Sequence, residues 1–187
     1  MKIGILGAGH VGKALGDAWA RHQHEVKYGD RGTVREAVEF GDVIVLAVPY
    51  QAALDIVAAV NLDGKIVVDC TNARSPVIGS DGKVSSGAEA ILERARGARL
   101  VKAFNTTGAN NMERPDYPGG RLAMLFCGDD SQAKKAVEGL ILHAGFEPYD
   151  LGPLSNARLL EAQAELWIWL AFRGGLGRDF GFRLVRR

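Results

Sequence analysis

"GILGAGHVGKALG", residues 4–16, decides how the rest of the chain is read. It carries five glycines in thirteen residues, between an apolar run that suits a strand and a periodic run that suits a helix. Gly7-Ala8-Gly9-His10-Val11-Gly12 matches G-x-G-x-x-G, a pattern that means little without its context. At a strand's carboxyl end and a helix's start, each glycine has a task. Gly7 permits the tight turn, Gly9 lets a diphosphate approach the backbone, and Gly12 allows close helix-to-strand packing. Free N–H groups at the helix terminus then face an anion with a favourable dipole. His10 lies inside this turn, where its backbone N–H matters more than its ring. Lys13 does not make the segment an ATP-type phosphate loop, because Ala14 follows it and supplies no hydroxyl for a metal ion.

The rest of the chain repeats the strand-to-helix rhythm. Apolar, β-branched runs fall at 2–6, 25–29, 42–48, 65–69, 99–104 and 121–126, with helix-length segments at 11–22, 33–40, 51–60 and 86–96. Strands apolar on consecutive positions are buried on both faces, and this order builds an open parallel sheet. The expected class is α/β, a Rossmann-type doubly wound, mostly parallel sheet with a C-terminal helical extension. Residues 1–150 form the dinucleotide-binding domain in this reading, and 151–187 a C-terminal helix and tail that serve dimerisation. Thr33 and Glu36 have capping-box spacing at the start of the second helix. The Gly-, Pro-, Ser- and Asn-rich stretches 75–87 and 105–120 read as long loops, of the kind that is functional or mobile.

In an open α/β sheet a ligand lies outside the carboxyl ends of the strands. About 20 positions after the glycine turn, where the fingerprint places a charged residue, the second strand ends in Asp30 and Arg31. A carboxylate there accepts from an adenosine ribose diol and favours NAD, whereas a guanidinium grips the 2′-phosphate of NADP. Arg35, one helical turn on, offers a second cation or a solvated helix face. The sequence leaves NADP and NAD both open. The next strand ends carry Ala47-Val48-Pro49, a flat apolar wall for the nicotinamide-side ribose, and Asn72 and Asn105, which suit either the nicotinamide end or turn geometry.

With 23 Lys and Arg against 22 Asp and Glu in 187 residues, the formal charge is +1. No long-range field favours nucleic acid or an anionic membrane. No apolar run approaches the roughly 18 residues of a membrane span, so a cytoplasmic protein is expected. Cys70 and Cys127 end apolar runs and read as small core hydrophobes, with no metal-ligand spacing around them. His22, His24 and His143 sit at expected helix ends and read as surface groups. Ser155 is placed to cap a last helix reaching about Arg173, with Gly174 and Gly175 as its stop. Its first half shows a polar stripe at Arg158, Glu161 and Glu165. Its second half, with Ile168, Trp169 and Phe172, is apolar all round, to be covered by the chain's own tail or by a second copy; the aromatic residues favour a homodimer.

Several motifs in order, "GAGHVGKALG", "GDR", "VIVLAVP", "VVDCTN", "VKAFNTTGANNM", "LFCGDD", "GFEPYDLGPL" and "ARLLEAQAELWIWLAF", resemble the predicted dinucleotide-binding oxidoreductases. That family includes NADPH-dependent reductases of the deazaflavin coenzyme F420 and the cytosolic domain of STEAP-type metalloreductases. The resemblance implies NADP as cofactor, a second substrate stacked near the nicotinamide, and often a dimer. It assigns the diphosphate to Gly9, His10 and Val11, the 2′-phosphate to Arg31 and Arg35, and the nicotinamide end to Val48, Pro49 and Asn105. The chain departs from it at Asp30, where the family usually has Ser or Thr.

No catalytic residue stands out. A carbonyl substrate must be protonated as hydride arrives, so its reductases place an acid at the oxygen; a flavin or deazaflavin delocalises the charge and takes its proton from solvent. The expected reaction is hydride transfer between a nicotinamide and such a tricyclic small-molecule acceptor, driven by positioning. The alternative is a module that holds NAD(P) without turnover.

Overall fold

The computed structural model describes residues 1–73, 77–79, 82, 84–185 and 187. The chain runs β1 (Lys2–Leu6), α1 (His10–Arg21), β2 (Glu25–Gly29), α2 (Val34–Phe40), β3 (Val43–Leu46), α3 (Tyr50–Ala59), β4 (Ile66–Asp69), β5 (Val77–Ile78), β6 (Val84–Ser85), α4 (Gly87–Arg94), β7 (Arg99–Lys102), α5 (Ala109–Glu113), β8 (Ala123–Gly128), α6 (Ser131–His143), β9 (Glu147–Asp150) and α7 (Ala157–Phe172). Seven strands form one sheet in the order β2-β1-β3-β4-β7-β8-β9. The first five are parallel; β8 runs antiparallel to β7, and β9 parallel to β8. The class is α/β with a Rossmann-type, mostly parallel sheet.

Alternation along the strands explains their unbroken apolar runs. Ile3, Ile5, Val43, Val45 and Val68 face one core with Leu15 and Trp19 of α1, while Leu6, Ile44, Leu46 and Val67 face the other with Leu54 of α3 and Ile91 of α4. Both faces are covered by helices, so no strand position in the middle of the sheet tolerates water. Trp19 is fully buried, meets Phe104 edge to face at 5.7 Å, and donates its indole N–H to the Leu140 carbonyl at 2.9 Å. The wide aromatic is thereby satisfied at both its apolar body and its polar edge.

Several local expectations change. Thr33 occupies the N-cap of α2 without capping it: its hydroxyl turns back to Asp30, and Glu36 pairs instead with Lys27 at 2.9 Å. The capping box that does form is Ser86 with Glu89, at the start of α4. Ser155 lies within a short 3-10 turn, Leu154–Asn156, and Asn156 holds the N-cap position of α7 with no side-chain cap bond. The stretch 75–87 contains the antiparallel pair β5–β6, with residues 75, 76, 80, 81 and 83 outside the described residues. The stretch 105–120 contains α5. The histidines at the helix ends meet one another: His22 stacks on His143 at 4.3 Å, and His24 Nε2 lies 2.9 Å from His143 Nδ1.

Glu161 departs most from its expected place. The polar stripe of α7 puts it on a solvent face, but Ala157, Leu160 and Ala164 of the same helix are buried, and Glu161 turns inward with them. Farther along, Trp167 stacks on Phe180 of the tail at 5.4 Å, while Ile168, Trp169 and Phe172 stay exposed. The tail therefore covers one side of the apolar half and leaves the other bare.

Candidate functional site

The glycine turn has the shape its spacing requires. Gly7 sits at φ +107°, and its N–H donates to Gly29 on β2 at 3.0 Å. A Cβ there would lie 2.5 Å from the Ala47 carbonyl oxygen, and one on Gly12 would run into the Gly7 carbonyl. Gly9 differs: a Cβ on it would meet nothing within 4 Å. Its backbone is extended and it caps α1 without a side chain. The first helical hydrogen bond runs from Lys13 N to Gly9 O at 2.9 Å, so the N–H groups of His10, Val11 and Gly12 have no acceptor within the helix. An open space fronted by free donors at a helix N-terminus fits a diphosphate.

One strand to the side, Asp30 is folded into its own loop. Its Oδ1 accepts from Gly32 N at 3.0 Å and from the Thr33 hydroxyl at 2.9 Å, while Thr33 Oγ1 accepts from Asp30 N at 3.1 Å. The Gly32 N–H, then the Thr33 hydroxyl, hold this carboxyl below the usual carboxylate value. Asp30 thus stabilises the turn that presents Arg31. Arg31 and Arg35 are exposed and form no ion pair among the described residues.

On the other side, beyond β3 and β4, lies a cleft of about 940 Å³. Val48 and Pro49 form its floor on the β3 side, and Cys70, Thr71 and Asn72 its floor on the β4 side. Tyr50, the first residue of α3, and Ile168, Trp169 and Phe172 of α7 form its walls. Ala47 is set back from the opening, against Gly7. Asn72 reaches the cleft, but Asn105 lies behind it, 4% exposed. Asn105 Nδ2 donates to Asn72 Oδ1 at 2.9 Å and to the Leu160 carbonyl at 3.1 Å, and Asn72 Nδ2 donates to the Asn105 carbonyl at 3.2 Å. Asn105 therefore braces Asn72 and ties it to α7. Among the described residues Thr71 Oγ1 and Asn105 Oδ1 are buried and have no hydrogen-bond partner.

The sequence reading missed the charges beneath this floor. Asp69 and Lys102 are register partners on β4 and β7, both side chains fully buried, with Nζ 2.8 Å from Oδ2. Lys102 also donates to the Thr71 carbonyl and lies 3.4 Å from Glu161 Oε1. Burial works against the Lys102 ammonium, but the Asp69 and Glu161 carboxylates outweigh it and hold the pKa above the usual lysine value. Glu161 also accepts from the N–H groups of Gly87 and Ala88, at 3.2 and 3.3 Å, at the start of α4. A signal was present: one charged residue ends "KIVVD" and another interrupts "RLVKAF", each in a strand otherwise apolar. Tyr50 was missed too. Burial raises its phenol first, then the Glu161 carboxylate, which keeps it a hydrogen-bond donor. Burial likewise pushes up both thiols, Cys127 to about 12, which disfavours the thiolate. Among the described residues no group of three or more His, Cys, Asp or Glu is placed to hold a metal ion, and no helix is long and apolar enough to cross a membrane.

A glycine turn at a helix start, cations at the end of β2 and a cleft past β3 and β4 define a Rossmann-type dinucleotide-binding protein. The sequence model of the family described as NADP oxidoreductase coenzyme F420-dependent matches residues 27–73. A crystal structure assigned as an F420-dependent NADP reductase from Arthrobacter sp. FB24 superposes with TM-score 0.85 at 30% identity, covering 100% of both chains. The metalloreductase STEAP3 of Rattus norvegicus is 31% identical over 179 residues, 86% of this chain and 36% of its own length. The F420-dependent NADP reductase of Methanocaldococcus jannaschii is 30% identical over 148 residues, 73% of this chain and 65% of its own length. The chain thus spans about a third of the one relative and just under two thirds of the other. It belongs to the coenzyme F420-dependent NADP oxidoreductase family.

Proposed function

We propose that this chain is an NADP-dependent oxidoreductase that transfers hydride between the nicotinamide and a flavin or deazaflavin, coenzyme F420 among them. The carrying observation is that the Gly9 cradle opens at the end of β1 while the aromatic-walled cleft opens past β3, its neighbour in the sheet, and β4 beyond it. An extended dinucleotide laid along that edge puts its phosphates on the cradle and its redox ring in the cleft.

In this reading Gly7, Gly9 and Gly12 shape the diphosphate site and the N–H groups of His10 and Val11 bind it. Arg31 and Arg35 take the 2′-phosphate, with Asp30 occupied by its own turn. Ala47, Val48 and Pro49 support the nicotinamide ribose, and Asn72, braced by Asn105, holds the nicotinamide amide. Held there, the nicotinamide would supply the hydride, two electrons with one proton, that passes to or from the acceptor, whose remaining proton would exchange with solvent. Trp169 and Phe172 exclude water and offer flat surfaces to a tricyclic ring. Residues 1–150 carry the nucleotide and 151–187 close the cleft; the bare side of α7 pairs with a second copy.

The test is NADPH oxidation by purified protein with F420, FMN and FAD, beside a panel of ketones, aldehydes and imines. Turnover with a tricyclic acceptor alone supports the proposal. Turnover with carbonyls alone overturns it and makes Tyr50 the acid; binding without oxidation of any kind leaves a nucleotide-holding module.

A further inference from the structure

The Asp69–Lys102–Glu161 cluster brings two carboxylates to one ammonium, an excess of one negative charge directly under the floor of the cleft. Asp69 is sealed in, with its Oδ1 accepting from Thr71 N at 2.8 Å and its Oδ2 on Lys102. Glu161 is the member that meets the opening: its side chain is 14% exposed and lines the cleft with Thr71, Asn72 and Tyr50. Its oxygens accept from the N–H groups of Gly87 and Ala88 and lie beside the Lys102 ammonium, which fixes the carboxylate at the edge of the cleft. Among the described residues the other charges lining the cleft, Glu165 on α7 and Arg173 at its C-cap, are opposite in sign and exposed, where water screens them. The excess charge of the buried cluster therefore sets the field at the floor.

We infer that Glu161 is a specificity-determining residue for the charge state of the nicotinamide: it favours the cationic, oxidised ring over the neutral, reduced one and so biases the site toward giving hydride up. This rests on the proposed binding of NADP in the cleft. The two forms of the dinucleotide carry the same phosphates and ribose groups, and differ at the ring by one positive charge. A fixed negative charge beside that ring acts equally on the shared groups, so what it changes in the ratio of the two affinities comes from the ring. In hydride donation the same positive charge grows on the ring in the transition state, so the carboxylate is already oriented where charge will develop. Glu161 does not touch a reacting atom in this account; it acts through its field, held in place by Lys102 and the α4 N-terminus.

Calorimetric titration of NADP⁺ and NADPH against wild type and Glu161→Gln tests the inference. Glutamine keeps the size and one acceptor oxygen, so one of the two α4 contacts survives while the charge goes. The ratio of the NADP⁺ to the NADPH dissociation constant is expected to rise about 5- to 30-fold in the variant. A merely structural Glu161 would weaken both forms together, and an unchanged ratio overturns the inference while leaving the cofactor reading intact. Should Glu161→Gln not fold, wild type alone decides: an affinity for NADPH tenfold or more above that for NADP⁺ overturns it, and comparable or tighter binding of NADP⁺ supports it. Failure of wild type to bind either form removes the cofactor reading itself, and the inference with it.

Discussion

Lys102 and Asp69 stand side by side on adjacent parallel strands, Nζ 2.8 Å from Oδ2, with neither side chain reaching solvent. Removing one partner of such a pair leaves the other charge buried and uncompensated. Lys102→Met should cost about 3 to 5 kcal/mol in urea unfolding, because the buried Asp69 carboxyl loses its counter-ion. A loss under about 1 kcal/mol would show the pair to be dispensable.

The same lysine predicts an alkaline limit. Its folded pKa lies above 10.5, the unfolded value, so its contribution is fully present below pH 10.5 and disappears as pH rises through the folded value. Unfolding midpoints of wild type should fall from pH 10.5 upward, and those of Lys102→Met should fall less over the same range.

Gly9 and Gly12 separate binding from folding. A methyl group on Gly9 enters open space, so Gly9→Ala should leave the unfolding midpoint nearly unchanged yet weaken NADPH about tenfold or more by filling the cradle. Gly12→Ala drives a methyl group into the Gly7 carbonyl and should cost about 1 to 3 kcal/mol of stability. Equal NADPH affinity in wild type and Gly9→Ala would remove the cradle from the site.

Arg31 bears on the choice of dinucleotide. With Asp30 held by Gly32 and Thr33, its carboxylate shapes the loop while the guanidinium is left to meet a 2′-phosphate. Arg31→Ala should weaken NADPH about ten- to a hundredfold and leave NADH unaffected, the difference being charge-assisted hydrogen bonds to one phosphate. Parallel losses for both nucleotides would place the arginine elsewhere.

The bare side of α7 predicts self-association. Trp169 and Phe172 are 54% and 66% exposed beside Leu166 and Ile168, an apolar surface that water does not favour. Sedimentation velocity should find a dimer in wild type and a monomer in Trp169→Glu/Phe172→Glu. A wild type that sediments as a monomer rules the homodimer out.

Residues adjacent in sequence carried most of what could be read in advance. The turn at Gly7, the packing at Gly12 and the buried runs of β1, β3 and β4 each depend on a local backbone demand or a short period, and such demands are spelled out contiguously. Asp30 and Arg31 were legible as a pair at the end of β2, but their division of labour was not. It hangs on whether Thr33 caps α2 or bonds Asp30, two hydrogen bonds of similar strength that compete for one hydroxyl. β8 shows the same limit: its apolar run is plain at 121–126, yet its reversed direction depends on how residues 105–122 route the chain.

By itself, then, the order of amino acids determined an open, doubly wound sheet with a glycine turn after its first strand, because helix and strand periods and glycine geometry act over a few bonds. Only tertiary structure decided that Asp69, Lys102 and Glu161 meet, that Tyr50 joins their cleft, and that Asn105 braces Asn72 from behind. Those contacts come from strand order and from the docking of α7 across the sheet. The burial that makes a charge there so consequential is a property of the assembled core, which no single segment possesses.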